Sequence, residues 1–186
     1  NDYSRFVGMA KKLKSYVLSN FAEEDKKRNF VEAILGEEQF NKMNVEVGDL
    51  PKISILTSVY DGDEYIRPFL EDITRQTIFE SKCELVIVNA NSPGNEEEVI
   101  KEYVEKYPDN IKYKKLDEDP GIYGTWNVAL GMATGEFITN ANLDDRKSAN
   151  SLELHAISLF QNEDIDLVYA DMLITDKPNE TFENNS

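Results

Sequence analysis

Asn142, Asp144 and Asp145 put three oxygen-bearing side chains within four residues. Hard oxygen donors at a loop can hold a divalent cation and leave coordination positions open for phosphate oxygens. The same residues also suit a solvated turn before a helix, since turns favour Asn and Asp. Their flanks tip the balance toward chemistry. In DPGIYGTWNVALGMATGEFITNANLDD, residues 119–145, Asp119, Pro120 and Gly121 form a turn, after which Ile122, Trp126, Val128, Ala129, Leu130 and Met132 recur near helical spacing. Gly135 is predicted to close that helix as a left-handed residue. Glu136 to Ala141 reads as a short strand that empties into Asn142 to Asp145. A helix and a strand therefore deliver two carboxylates and an amide to one strand end.

The preceding segments show what can hold that end in place. Strands are predicted at 53–59, 84–90, 111–116 and 166–170, with helices at 64–76, 95–107 and 149–161 between or after them. Apolar strands alternating with helices indicate an α/β domain with a mostly parallel sheet covered on both faces. Right-handed crossovers put every strand exit on one edge, and ligands of such sheets bind there. The exits are Thr57 to Asp61, Asn89 to Asn95, Asp117 to Gly121, Asn142 to Asp145, and Tyr169 to Asp171. Tyr60 can stack on a nucleobase, and Asn89 and Asn91 can read its edge by hydrogen bonds. The plainer alternatives are a half-buried loop aromatic and ordinary turn chemistry.

The chain as a whole narrows the field. Its 186 residues suffice for one domain with a real core and an appendage. A net charge of −16 and the lack of a basic stripe argue against nucleic-acid binding. An anionic ligand in that field needs a metal ion or a nest of backbone N–H groups. The single cysteine, Cys83, rules out an internal disulfide and reads as a buried thiol beside an apolar run. No stretch approaches the roughly 20 apolar residues of a membrane span, and no signal peptide is visible. The first residue is Asn1 rather than methionine, so an excised piece of a longer protein is expected.

Residues 1–50 read as a helical appendage or linker, with Phe6, Met9, Ala10, Leu13, Tyr16, Val17 and Phe21 at helical spacing. Residues 51–176 form the sheet domain, and 177–186 a polar tail expected to be disordered. Several enzyme classes fall away. The loop SVYDGDEY contains no Gly-x-Gly-x-x-Gly, there is no Gly-Lys-Ser/Thr loop, and no Gly-x-Ser-x-Gly elbow exists. The only histidine, His155, lies within a predicted helix and is read as a packing or surface residue.

Taken together, ISILTSVYDGDEYI, ELVIVNANSPGN, DPGIYGTWNVALGMATGEFI and NLDD resemble, in order and spacing, the donor-binding half of a family 2 glycosyltransferase. The resemblance runs from about Lys52 to Leu173. It implies a GT-A, Rossmann-like fold and inverting transfer of a sugar from a nucleotide diphosphate sugar, a UDP-sugar being favoured, assisted by Mg²⁺ or Mn²⁺. By position, Thr57, Ser58 and Tyr60 would line the base site, Asn89 and Asn91 sit where the family reads uracil, and Gly121 joins the donor-binding set. Asn142, Leu143 and Asp144 occupy the Asp-X-Asp position. Asp144 would be the chief metal ligand, with Asn142 and Asp145 supporting.

The chain departs from the family pattern in two places. Asn89 and Ala90 stand where an Asp-Asp pair is usual, and Asn142 replaces the first Asp of Asp-X-Asp. The acceptor half, with its catalytic carboxylate, would follow where this chain ends, so no general base is assigned, Asp171 included. The expected role is a cytoplasmic enzyme fragment in bacterial surface polysaccharide or glycan synthesis. It would act on a glycan or lipid-linked acceptor and reach the inner face of the membrane through a parent protein. The competing reading is a noncatalytic GT-A-like interaction or regulatory domain. A nucleotidyltransferase is weaker, because the first loop lacks that group's glycine-rich run followed by arginine and lysine.

Overall fold

The computed structural model describes residues 45–162, 164–170, 174–175 and 177–181. The chain divides into two units, Asn1–Val45 and Glu46–Ser186. The helical appendage predicted for the first fifty residues lies, up to residue 44, outside the described residues. Asp171 and residues 182–186 lie outside them as well.

A short turn of 3-10 helix at Val47–Asp49 leads into β1 (Ile53–Val59), α1 (Asp63–Thr74), α2 (Phe79–Lys82), β2 (Cys83–Asn89) and α3 (Glu96–Lys106). After these come β3 (Ile111–Lys115), α4 (Gly121–Met132), β4 (Phe137–Asn140) and α5 (Ser151–Gln161). The strands form one sheet in the order β3-β2-β1-β4, and every pairing is parallel. Helices cover both faces of a parallel sheet, so its central strands are apolar on both sides. Accordingly, all seven residues of β2 and six of the seven in β1 are buried. Leu56, Val86 and Val88 meet Ala129 of α4, with Val128, Met132 and Ala133 packed around them. Successive strand residues face opposite ways, so Ile55, Thr57 and Val59 serve the other face. Among the described residues no helix is long and apolar enough to cross a membrane.

At the N-terminal end of the sheet the strands meet at one buried carboxyl. Glu84, wholly buried, accepts a bond from the Ser54 hydroxyl at 2.6 Å. It pairs with Lys52 at 2.6 Å and Lys112 at 2.9 Å, and it accepts the Thr134 N–H at 2.5 Å and the Thr134 hydroxyl at 2.7 Å. Burial alone raises its pKa, but the bonds from Lys52, Ser54 and Thr134 outweigh that effect and hold it well below the usual carboxylate range.

This clamp explains one correction. Gly135 does not close α4 as a left-handed residue, since among the described residues Gly121 is the glycine with positive φ. The helix ends at Met132, and the chain through Thr134 and Gly135 is drawn onto Glu84 and Ser54, whose hydroxyl oxygen accepts the Gly135 N–H at 2.8 Å. A Cβ at Gly135 would lie 2.6 Å from the Ser54 nitrogen and 2.7 Å from the Lys52 oxygen. The glycine is required by a close backbone approach.

A second correction concerns the strand predicted at 166–170. Those residues form no strand, and Leu167 and Tyr169 are 78% and 84% exposed. An apolar run marks a strand only where a ladder partner exists, and this segment has none among the described residues. Val168 instead borders a cavity with Ile138 of β4 and His155 and Leu159 of α5. His155 is half-buried there, and burial pulls its pKa down. Cys83 is the expected buried thiol, pushed up to about 12 by desolvation.

Glu84→Gln is expected to lower stability by about 1–3 kcal/mol at neutral pH, since the part-exposed Lys52 and Lys112 stay solvated and the loss is that of charge-assisted hydrogen bonds. A depressed folded-state pKa gives stability that is full above the unfolded value near 4.5 and is lost as pH falls below it. Urea titrations at pH 7 and pH 3 should therefore show the gap between wild type and variant narrowing in acid. Gly135→Ala should cost about 1–3 kcal/mol at pH 7, as overpacking does, because the atoms it meets are backbone.

Candidate functional site

The connection order sends β2 and β3 to one side of β1 and returns β4 to the other. The reversal, where ligands of such sheets bind, lies between β1 and β4. Beyond Val59 come Tyr60, Asp61 and Gly62. Beyond Asn140, whose register partner is Leu56, come Ala141 to Asp145.

The two loops are joined by packing. Leu143 is buried and lies against Gly62, where a Cβ would come within 2.3 Å of its Cδ1. With Ala141 and Leu143 turned inward, Asn142 is half-buried and Asp144 and Asp145 are exposed. The Asn142 amide donates to Asp145 Oδ2 at 2.9 Å, and the Asp145 N–H reaches the Asn142 carbonyl at 3.3 Å. Arg146 turns back on the same loop, donating to the carbonyls of Leu143 at 2.7 Å and Asp145 at 2.8 Å. Burial pulls the Arg146 pKa down against the opposing charges of Asp72, Asp144 and Asp145. Asp72 of α1 accepts the Lys147 N–H at 2.9 Å.

Arg146 also donates to Asn179, whose amide donates to the Glu64 carbonyl at 3.4 Å. That carbonyl is free because its helical partner would be the N–H of Pro68, and proline has none. The described part of the tail thus has a docking point that polar composition did not reveal.

The loops after β1 and β2 are joined by hydrogen bonds. The Ser92 hydroxyl accepts the Asp61 N–H at 2.8 Å and donates to Glu96 Oε1 at 2.7 Å. The same Glu96 oxygen accepts the Gly62 N–H at 2.6 Å. The Ser92 N–H donates to Asn89 Oδ1 at 2.8 Å. Asp61 and Asn91 both have positive φ, 49° and 57°, a conformation that Asn and Asp tolerate better than most residues.

The predicted site residues therefore divide. Tyr60 is 55% exposed, Asn91, Asp144 and Asp145 are exposed, and Ser58 and Asn142 are half-buried. All six lie on the loops or strand ends that these contacts bring together. Thr57 is wholly buried and its hydroxyl has no hydrogen-bond partner. Asn89 is only 1% exposed, and its oxygen is spent on the Ser92 N–H. These two sit beneath the edge and shape it. Gly121, at φ +75°, starts α4 at the same sheet edge, its N–H held by Asp119 Oδ1 at 2.8 Å.

Sequence reasoning missed Gly62, Ser92 and Glu96, which hold the loops. It also counted Trp126 as helix apolar and passed over Tyr123, which is 76% exposed and meets Trp126 edge-on at 6.1 Å. An aromatic flanked by glycines at the start of a helix was the available signal. Among the described residues, no three His, Cys, Asp or Glu side chains gather into a metal-holding group.

Comparison with known proteins adds to this geometry. Residues 54–185 match the family described as Glycosyl transferase family 2. The minor teichoic acid biosynthesis protein GgaB of Bacillus subtilis is 34% identical over 117 residues, which cover 62% of this chain and 13% of that protein. The crystal structure of S. aureus TarS 1-349 in complex with UDP-GlcNAc aligns with a TM-score of 0.56 at 26% identity, over 60% of this chain and 32% of that one. The mannosyltransferase PcManGT from Pyrobaculum calidifontis, in complex with GDP-Man and Mn²⁺, aligns with a TM-score of 0.56 at 19% identity, over 71% and 44%, a likeness of fold. The chain thus spans less than half of each of these proteins.

Proposed function

Because the chain belongs to glycosyl transferase family 2 and has the GT-A architecture of solved relatives, we propose that it binds the nucleotide diphosphate part of a sugar donor across the β1–β4 reversal. On this reading residues 51–176 are the donor-binding domain of a larger inverting enzyme, residues 1–50 link it to other parts, and 177–186 are a tail. It works in the cytoplasm, reaches the membrane through a parent protein, and helps to build a cell-surface polymer. The relatives in teichoic acid synthesis support that last point.

The observation that carries the proposal is the contact of Leu143 with Gly62, which sets Tyr60 and Asp144 on one sheet edge. Tyr60 offers a ring to the base, and Ser58 and Asn91 offer hydrogen bonds beside it. The TarS complex with UDP-GlcNAc, at 26% identity, favours a uridine donor. PcManGT shares only the fold, so its GDP-Man does not decide the base.

The donor set fits Mg²⁺ or Mn²⁺. The Asn142 side-chain Nδ2–H is bonded to one Asp145 oxygen, which leaves the side-chain oxygen Oδ1 of Asn142, the second Asp145 oxygen and the whole Asp144 carboxylate as hard donors. Magnesium is commonly held by one or two carboxylates together with substrate phosphates rather than by a full protein cage. Asp144 would be the chief ligand, with Asn142 and Asp145 supporting. A cation held there neutralises charge on the departing nucleotide. Attack by an acceptor hydroxyl then needs a base near the anomeric carbon, which we assign to the acceptor half of the parent enzyme.

A noncatalytic domain is the second reading, favoured by the buried Asn89 and the uncharged Asn142. Calorimetric titration of UDP, GDP and dTDP, each with Mn²⁺ and then with chelator, separates the two. One nucleotide, UDP by preference, should bind, with affinity falling at least about tenfold on chelation and in Asp144→Ala, a change of ~1.4 kcal/mol. Binding that ignores both metal and Asp144 would sink the site assignment. No binding of any nucleotide would favour the noncatalytic domain.

A further inference from the structure

Glu96 stands out among the buried acids. It is wholly inaccessible, no ion pair among the described residues reaches it, and its Oε2 has no hydrogen-bond partner. Glu84, at the opposite end of the sheet, is surrounded by two lysines and by serine and threonine donors. Burying a carboxyl without such compensation costs stability, so a contribution to folding does not account for Glu96.

Its other oxygen explains the placement. Oε1 takes the Gly62 N–H from the loop after β1 and the Ser92 hydroxyl from the loop after β2, and Ser92 in turn takes the Asp61 N–H. One oxygen atom therefore fixes the separation of two loops from below. Tyr60 is bonded in sequence to Asp61, and Asn91 to Ser92. Asp61 and Asn91 both hold left-handed backbone conformations, which surrounding structure must enforce where side chains are present. Gly62 is also the seat of Leu143, so the same anchor extends to the loop that carries Asp144.

We infer that Glu96, acting through Ser92, Asp61 and Gly62, is a positioning residue that sets the gap between Tyr60 and Asn91 into which the donor nucleotide's base inserts. This rests on the nucleotide-binding reading given above. Glu96 touches no ligand. It holds the backbone that presents the residues which do, and a loop displaced by a fraction of an ångström loses the stacking and hydrogen bonds together.

The test compares affinity with stability in four variants of the whole chain. UDP and GDP are titrated separately with Mn²⁺, and each variant is unfolded in urea. Ser92→Ala and Glu96→Leu should weaken nucleotide binding about five- to tenfold, the scale of one net hydrogen bond. Glu96→Leu removes an uncompensated carboxyl, so its affinity should fall even where its stability does not. Glu96→Gln keeps an acceptor oxygen for both bonds and should bind within about twofold of wild type. Ser54→Ala, which removes a bond to Glu84 at the far edge, should lose stability and keep wild-type affinity. If Ser92→Ala and Glu96→Leu fold and bind like wild type, the positioning role is overturned while nucleotide binding stands. If wild type binds none of UDP, GDP and dTDP, both readings fall.

Discussion

The fold is organised by the carboxyl of Glu84. It gathers Ser54 and Lys52 at the start of β1, Lys112 of β3, and Thr134 ahead of β4 onto the second residue of β2. Parallel strands cannot be joined by hairpins, so their relative register must come from elsewhere. A common anchor at one end supplies it. With the starts aligned, Val59 and Asn89 pair at the opposite end and Lys115 pairs with Asn89, and the loops that follow emerge at one level.

The exit edge repeats the device in a weaker form. Glu84 joins strands with charge to spare, whereas Glu96 joins loops with one oxygen and no cation. The difference suits the two ends. A sheet must hold rigidly, but loops that close on a ligand are drawn from the less stable parts of a structure. The cross-links from Leu143 to Gly62 and from Asn179 to Arg146 and Glu64 complete a frame in which few bonds are redundant.

Much of this was legible in the residues. The apolar runs placed β1 at its observed bounds and the other predicted elements through α5 within a few residues, whereas the single turn α2 carries too short a pattern to be read and was missed. What sequence could not supply was the third dimension of polar groups. Gly135 had two possible reasons to be glycine, and only the approach of Lys52 and Ser54 chooses between them. Asn89 has the chemistry to read a base, yet the Ser92 N–H claims its oxygen first. Glu96 opens a run of three glutamates that reads as an ordinary helix start, and nothing local shows that the first of them is buried. Leu167 to Ala170 is an apolar run as a buried strand should be, but a run does not show whether an edge is within reach.

The charge of the site follows from the same details. The overall charge of −16 is screened beyond about 8 Å at physiological salt, so an anionic ligand meets local groups first. From Asn142 to Lys147 the loop reads NLDDRK, two acids against two bases. The Arg146 guanidinium is turned back onto the carbonyls of its own loop, where it fixes geometry and is not presented outward. Asp144 and Asp145 are the exposed residues of this loop, and Asn142 contributes dipole in place of the charge that an aspartate would add. A cation placed there alone gains less than it would beside three carboxylates. On the proposed reading the missing charge is supplied by the diphosphate itself, so metal and nucleotide bind as a pair, each making the other's affinity, by the reciprocity of linked equilibria.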